Sequence, residues 1–424
     1  MDIEIKERIA AINSGIIPEG YKKTKVGIVP VEWKVEHIGE HLQEYRELSN
    51  DIEKHPVYSS SRKGLIPQSD YYDQKEATQT NLGYKIVPVG YVTYRHMSDD
   101  DIFHFNFNTT GQSVLVSSEY PVFNAKSNAN LYYIISCLNE MPRFRYFCRS
   151  QKLGGTRTRL YYKNLSMYQL SFPPLPEQQK IAEILSTQDK LIELQEKKIE
   201  QLKELKKAYL QKMFPQKGSK YPELRFKGFT DPWEQRKLNT IADVRDGTHA
   251  SPQYLSSGHP FITSKNVKDG YINYDDVQYI SNEDFEEINK RSKVDVNDIL
   301  MGMIGTIGNL ALIRDIPDFA IKNVALIKDT GAIFYLYLYH CLQSETVINQ
   351  LSDNMDGGTQ KFVALKSIRG LNIAFPSRSE QEEIGSFFSN LDTLITLHQR
   401  KSEQEKQKKK ALMQLLLTGI VRTK

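Results

Sequence analysis

Cysteine is scarce, with only Cys137, Cys148 and Cys341 in 424 residues. Three thiols so scattered cannot build a disulfide framework or a zinc site. Cys137 and Cys341 fall in similar local sequences, and buried packing is the expected role of both. Tryptophan is scarcer, with only Trp33 and Trp233. No apolar run reaches the roughly 18 residues that a membrane helix needs. Asp2, Glu4, Lys6 and Glu7 interrupt the first stretch, so no signal peptide is read there and a cytoplasmic protein is expected. Excess charge is also missing. The formal net charge is +4 and the pI about 8.6, short of the strongly basic signature of a small DNA-binding domain. Composition alone therefore does not point to nucleic acid.

Catalytic signatures are absent as well. There is no GxxxxGK[ST] phosphate loop. Gly302, Gly305 and Gly308 recur every third residue, which marks a turn between strands rather than a dinucleotide fingerprint. His37 and His41 lie four apart, but Glu36 and Glu40 sit beside them and not in HExxH order, so a solvated helix face is expected. Pro317-Asp318 with Lys322 lacks the second acid of a metal-dependent nuclease. A chain of this length without nucleophile, base or metal cluster reads as a binder, with no cofactor or metal of its own.

What is present is a long stretch without proline or glycine. Pro173, Pro174 and Pro176 mark its start, and nothing breaks it until Pro215. Ile181, Leu185, Ile192, Ile199 and Leu202 form one apolar stripe close to a heptad repeat. A helix over 173–214 is predicted, too long to bury its stripe alone. Its partner is in the same chain. A shift of 203 positions lays Glu177-Gln178 on Glu380-Gln381 and Ile181 on Ile384, and then Leu185 on Phe388 and Ile192 on Ile395. Leu391 extends that second stripe. The match continues upstream from Gly154-Gly155-Thr156 to Gly357-Gly358-Thr359.

The chain thus reads as a tandem duplication of class α+β: two similar globular domains separated by two long antiparallel helices. The expected boundaries are an N-terminal helical segment at 1–20, a first domain at 21–172 and a first long helix at 173–214. A linker at 215–220, a second domain at 221–375 and a second long helix at 376–424 follow. The domains open with Tyr21 and Tyr221 and reach Trp33 and Trp233, each expected to anchor its core. Short runs rich in Val, Ile, Tyr and Phe predict a small, mostly antiparallel sheet in each. The second helix has no apolar residue from His398 to Lys410, so its pairing is expected to be loose or hydrated there. That run is read as a solvated face, with phosphate contact as the alternative.

Two similar but diverged units joined by long helices present two recognition surfaces. If the ligand is DNA, each reads one half-site. Candidate DNA-contacting residues in the first unit are Ser60, Ser61, Arg62, Lys63 and Gln68, then Arg95 and His96, then Arg157 and Arg159 in a Gly-Gly-Thr loop. In the second they are Arg245, Thr248 and His249, then Ser264, Lys265 and Asn266, then Gln360 and Lys361. Their donors and acceptors suit base edges, and loop amides suit phosphate oxygens. An ordinary polar surface loop is the alternative for each.

The motifs Pro173-Pro174-Leu175-Pro176-Glu177-Gln178-Gln179-Lys180-Ile181 and Ser379-Glu380-Gln381-Glu382-Glu383-Ile384 resemble those of the specificity subunit of type I restriction–modification systems. So do Leu412-Met413-Gln414-Leu415-Leu416-Leu417-Thr418-Gly419, Arg245-Asp246-Gly247-Thr248-His249 and the Gly-Gly-Thr loops. The resemblance covers essentially the whole chain. It implies two target-recognition domains, each reading half of a bipartite asymmetric site on double-stranded DNA, with the helices as spacer. It implies two modification (methyltransferase) subunits using S-adenosylmethionine, docked on the helical regions. Two restriction subunits using ATP and Mg²⁺ complete this host-defence complex. Two other readings stand beside it: a non-DNA scaffold whose duplicated units bind protein, and a single-chain DNA methyltransferase or nuclease.

Overall fold

The glycine-free stretch folds as one continuous helix, Leu175–Lys212, whose 38 residues at 1.5 Å each give about 57 Å. The second long helix, Arg378–Leu416, has 39 residues. The computed structural model describes residues 3–71, 83–152, 154, 156–357 and 361–423. The chain divides into two compact units, residues 1–194 with 402–424 and residues 195–401. Each unit therefore contains part of both long helices.

Within each unit the two helical parts run antiparallel. In the first, Ile181 and Leu185 share a core with Met413, Leu416 and Leu417, and Gln188 Nε2 donates to Glu405. In the second, Gln195 meets His398 at 2.7 Å, Lys206 meets Asp392 at 2.7 Å, and Tyr209 packs on Phe387. The predicted stripe is buried at Ile181, Leu185, Ile192, Leu202, Ile384, Phe388, Leu391 and Ile395, and half-buried at Ile199.

The run 398–410 is not loose. It is helical throughout, and polar partners replace the missing apolar contacts. In the first unit Lys409 pairs with Asp189 at 2.6 Å, and Ser402 is buried. Shifted by 203, that ion pair is Lys206–Asp392 of the second unit.

The sheets differ from the expectation of one small sheet per unit. The first unit has a four-stranded antiparallel sheet in the order Asn106–Phe107, Val92–Thr93, Val122–Ala125, Leu42–Tyr45. A three-stranded sheet of Val114–Ser117, Tyr84–Val87 and Leu48–Ser49 and several two-stranded ribbons accompany it. The second unit has Asp243–Asp246, Val324–Lys328, Ile299–Gly302 and Leu310–Leu312 in one sheet. Its three-stranded sheet pairs His259–Thr263 in parallel with Ala320–Lys322. Strands of two to five residues cannot hold one continuous twisted sheet, so pairing breaks into patches. The glycines at 302, 305 and 308 lie in and after the Ile299–Gly302 strand, whose Met301 pairs with Leu310, as a turn between strands requires.

His37 and His41 are not on a solvated helix face. His37 ends the strand Lys34–His37, and buried His41 bonds Glu36 at 2.8 Å and stacks on Phe172.

The two units share one anchoring device, which fixes where their loops stand. Lys34–His37 pairs antiparallel with Gln169–Phe172, and Glu234–Lys237 with Asn372–Phe375. These ladders place each tryptophan at the start of a long helix. Trp33 Nε1 donates to Glu177 Oε2 at 3.3 Å, and Trp233 Nε1 to Glu380 Oε2 at 3.1 Å. Each glutamate also takes an arginine, Arg422 for Glu177 and Arg225 for Glu380. The next residue bridges backbone. Gln178 accepts from Asn130 N and donates to Pro173 O, while Gln381 accepts from Phe334 N and donates to Pro376 O, all at 2.9 Å. The repeated Glu-Gln is therefore a structural clamp between helix, sheet and tryptophan.

Candidate nucleic-acid interface

In the first unit the hairpin Tyr58–Ser61/Gly64–Pro67 closes with Ser61 opposite Gly64. Arg62 and Lys63 are thus its two-residue tip and are exposed. Ser61 Oγ braces the tip, donating to Gly64 O and accepting from Lys63 N, both at 3.0 Å. Ser60 is buried beneath it and accepts from Asn106 Nδ2 at 2.8 Å. The tip overhangs a cleft of about 380 Å³ that also takes Arg95, Asp99 and His104 into its wall. Gln68 opens the short helix after the hairpin and is half-buried.

Ser98 and Asp99 also line the cleft and open the turn Ser98-Asp99-Asp100-Asp101, next to the paired strands Met97–Ser98 and Thr158–Arg159. Asp100 pairs with Arg62 at 2.6 Å, Asp99 with Arg157 at 2.8 Å and Asp101 with Arg149 at 3.2 Å. Burial alone would raise the Asp100 carboxyl, but hydrogen bonds from Ser98 and Arg62 outweigh it and hold it below the usual range. The Thr158 hydroxyl does the same for Asp101. Arg95 and Arg159 are exposed, whereas His96 is buried and stacked on Tyr161. Burial pushes the imidazoles of His96 and His104 down.

In the second unit the predicted residues separate into two groups. Arg245, His249 and Lys265 have half or nearly half of their side chains open. Arg245 pairs with Asp243 and Lys265 with Asp276. His249 bonds Asp246 at 3.0 Å and Asn323 at 2.7 Å. Ser264 and Asn266 are buried and committed inside the unit. Ser264 Oγ donates to Asn323 O and accepts from Met303 N, and Asn266 caps Thr263 and donates to Asn273 O and Asp276 O. Thr248 is half-buried and bridges to Lys322 through its backbone. Lys361 is exposed. Gln360 lies outside the described residues, as do Gly155, Gly358 and Thr359 of the repeated loops.

Gly247 shows why the Arg245–His249 segment needs a glycine. A Cβ there would sit 2.5 Å from Ile321 O, inside the adjoining strand. Gly247→Ala is expected to lower the melting free energy by about 2 kcal/mol, as overpacking does, and thermal denaturation of the variant measures it.

Sequence reasoning missed the carboxylates that hold these cations: Asp99, Asp100 and Asp243 on arginines, Asp276 on Lys265, and Asp246 with its Arg291. The run Ser98–Asp101 was visible as acidic residues, but nothing in it shows which cations fold against it.

The family model for the type I restriction modification DNA specificity domain matches the chain twice, over residues 32–204 and 230–407. The type I restriction enzyme MjaVIII specificity subunit of Methanocaldococcus jannaschii is 27% identical over 289 residues, covering 66% of this chain and 68% of that protein. The putative MjaX specificity subunit of the same organism is 26% identical over an alignment of 434 positions, 96% of this chain and 97% of its own. Among solved structures, the type I restriction–modification S subunit from M. genitalium matches with a TM-score of 0.60 at 14% identity, over 91% of this chain and 96% of that one. At that identity the likeness is one of fold.

Proposed function

We infer the function from the premise that this chain belongs to the type I restriction modification DNA specificity family. It is the DNA sequence-specificity subunit of a type I restriction–modification complex, a component that is not itself catalytic. The observation that carries the detailed reading is a shared frame with different loops. Both units repeat the tryptophan–glutamate–arginine clamp and the glutamine bridge, yet the loops above them carry different side chains. Two like scaffolds with unlike loops suit two unlike half-sites.

The first recognition domain, 21–172, reads one half of a bipartite asymmetric site on double-stranded DNA, and the second, 221–375, reads the other. The helices at 173–214 and 376–424 set the gap, with 1–20 and 215–220 as an accessory segment and a linker. The chain's proposed place of work is the cytoplasm.

The partners are two modification subunits and two restriction subunits, which bring S-adenosylmethionine, ATP and Mg²⁺. An exposed leucine pair in each unit supports a repeated docking site. Leu191 and Leu194 are 41% and 61% exposed, and their counterparts 203 residues on, Leu394 and Leu397, are 43% and 59%.

The test is a methylome. The chain is expressed with its modification partner in a methylation-free host, and modified adenines are mapped by long-read sequencing. A bipartite motif with a fixed gap is expected. Arg62→Ala or Arg95→Ala should relax only one half, and Arg245→Ala or Lys265→Ala only the other, at about 1–3 kcal/mol per lost base contact. A stable complex that marks no motif, or one substitution that relaxes both halves, overturns the two-reader assignment.

A further inference from the structure

Two exposed arginines among the candidate contacts of the first unit are already occupied. Arg62 stands at the hairpin tip and Arg157 beside the paired strands, yet each faces an aspartate of one short turn. That turn is built to present its carboxylates. Ser98 Oγ accepts from Ile102 N at 3.1 Å and donates to Asp100 Oδ1 at 2.9 Å, leaving Asp100 Oδ2 for Arg62. Asp101 holds a left-handed backbone, φ 63°, which a non-glycine residue keeps only where its surroundings enforce it. Thr158 and Arg149 supply that enforcement through its carboxylate.

The two outer pairs are of another kind. Arg62 and Asp100 are 61% and 37% exposed, and Arg157 and Asp99 are 49% and 69% exposed. Ion pairs that open to water are weak and exchangeable. A guanidinium paired with a carboxylate also presents a dipole, whose pull on a distant charge falls off faster than that of a free cation. Arg62 at the cleft, and Arg157 on the neighbouring Asp99, are therefore muted toward a passing duplex, while remaining free to leave their carboxylates for a better partner.

We propose that Asp99 and Asp100 set the discrimination between specific and non-specific DNA, by holding Arg157 and Arg62 as a phosphate would and yielding them only to a duplex that engages both together. The proposal rests on the DNA-specificity reading above. It assigns these aspartates a positioning role and leaves Asp101 as a support of the fold.

The experiment uses the full chain with its modification partner and the double variant Asp99→Asn/Asp100→Asn. Asparagine keeps the size of each side chain and an acceptor for the Ser98 and Ile102 bonds. Binding is followed by fluorescence anisotropy, across a salt series, to a random-sequence duplex and to one carrying the mapped motif. Affinity for the random duplex should rise about tenfold, and the slope of log K against log salt should steepen by about 0.9 for each freed arginine. Affinity for the motif should rise less, so the ratio falls. An unchanged slope, or a loss of affinity for both duplexes, overturns the proposal. If the double variant melts early, Asp99→Asn alone carries the test, with half the slope change expected. Arg62→Ala/Arg157→Ala separates the two levels. Weaker binding by that variant, with no effect of the asparagines, removes the aspartate role and keeps the DNA reading. No effect of either removes DNA from this cleft.

Discussion

Replacing Glu380 with alanine is expected to destabilise the second unit by about 3–5 kcal/mol, the usual cost of stripping one partner from a buried ion pair. Glu380 is 1% exposed at its side chain and Arg225 13%. The carboxylate accepts from Arg225 Nε and Nη2, at 2.7 and 2.8 Å, and from Trp233 Nε1 at 3.1 Å. Alanine would leave a guanidinium and an indole N–H in a site that water reaches poorly, and each unmet donor adds its desolvation cost. Glutamine keeps an acceptor for the indole but loses the charge, so Glu380→Gln should fall between alanine and the parent.

The equivalent Glu177→Ala should cost less, about 2–3 kcal/mol. Its Arg422 is 18% exposed and keeps a second acid, Glu32, at 2.7 Å. Urea denaturation followed by tryptophan fluorescence measures both changes, because each unit holds one tryptophan. A Trp33→Phe background reports the second unit alone. Equal midpoints for Glu380→Ala and the parent would mean that the clamp is solvated and that the repeated glutamate is not what anchors the helix.

This clamp also marks what could be read from the sequence and what could not. The offset of 203 was legible because the apolar stripe has a helical period and Glu-Gln recurs at the start of each, Glu177-Gln178 and Glu380-Gln381. The bond between tryptophan and glutamate was not, because it joins residues 144 apart in one unit and 147 in the other. The strands Lys34–His37 and Glu234–Lys237 carry no alternating apolar pattern, and Glu234–Lys237 is exposed at all four positions. They are strands because Gln169–Phe172 and Asn372–Phe375 pair with them, a tertiary cause that local composition does not record.

The polar run at 398–410 looked unfit for packing for a similar reason. One helix shows only its own half of each contact. Gln188, Asp189 and Gln195, which meet this run, lie on the other helix and spoil its stripe no more than a normal surface residue would. At the candidate interface, residue type alone could not separate donors that face solvent from donors used as internal braces. Arg62 and His249 are open, whereas Ser264 and Asn266 spend their hydrogen bonds on backbone. Both kinds are polar residues in loops.

The exposed leucines lead to the other large effect. If two modification subunits dock as proposed, Leu191→Asp/Leu194→Asp and Leu394→Asp/Leu397→Asp should each remove one of them, and the four together should remove both. A leucine buried on docking contributes about 1.5–3 kcal/mol. Losing two, and leaving two carboxylates to be desolvated, should cost about 4 kcal/mol or more, roughly a thousandfold in Kd. The two double variants should weaken assembly alike, because the positions correspond under the internal repeat and are about equally open. The chain alone should be unaffected within about 0.5 kcal/mol, as surface changes generally are. Native mass spectrometry of the purified complex reads the stoichiometry directly, and a thermal melt of the chain checks the second point. Retention of two modification subunits by the fourfold variant would place docking elsewhere on the chain. An early melt would show that the leucines serve the fold, and their exposure would then have another cause. Unequal loss from the two double variants would show that the repeat fixes the helices but not what binds them.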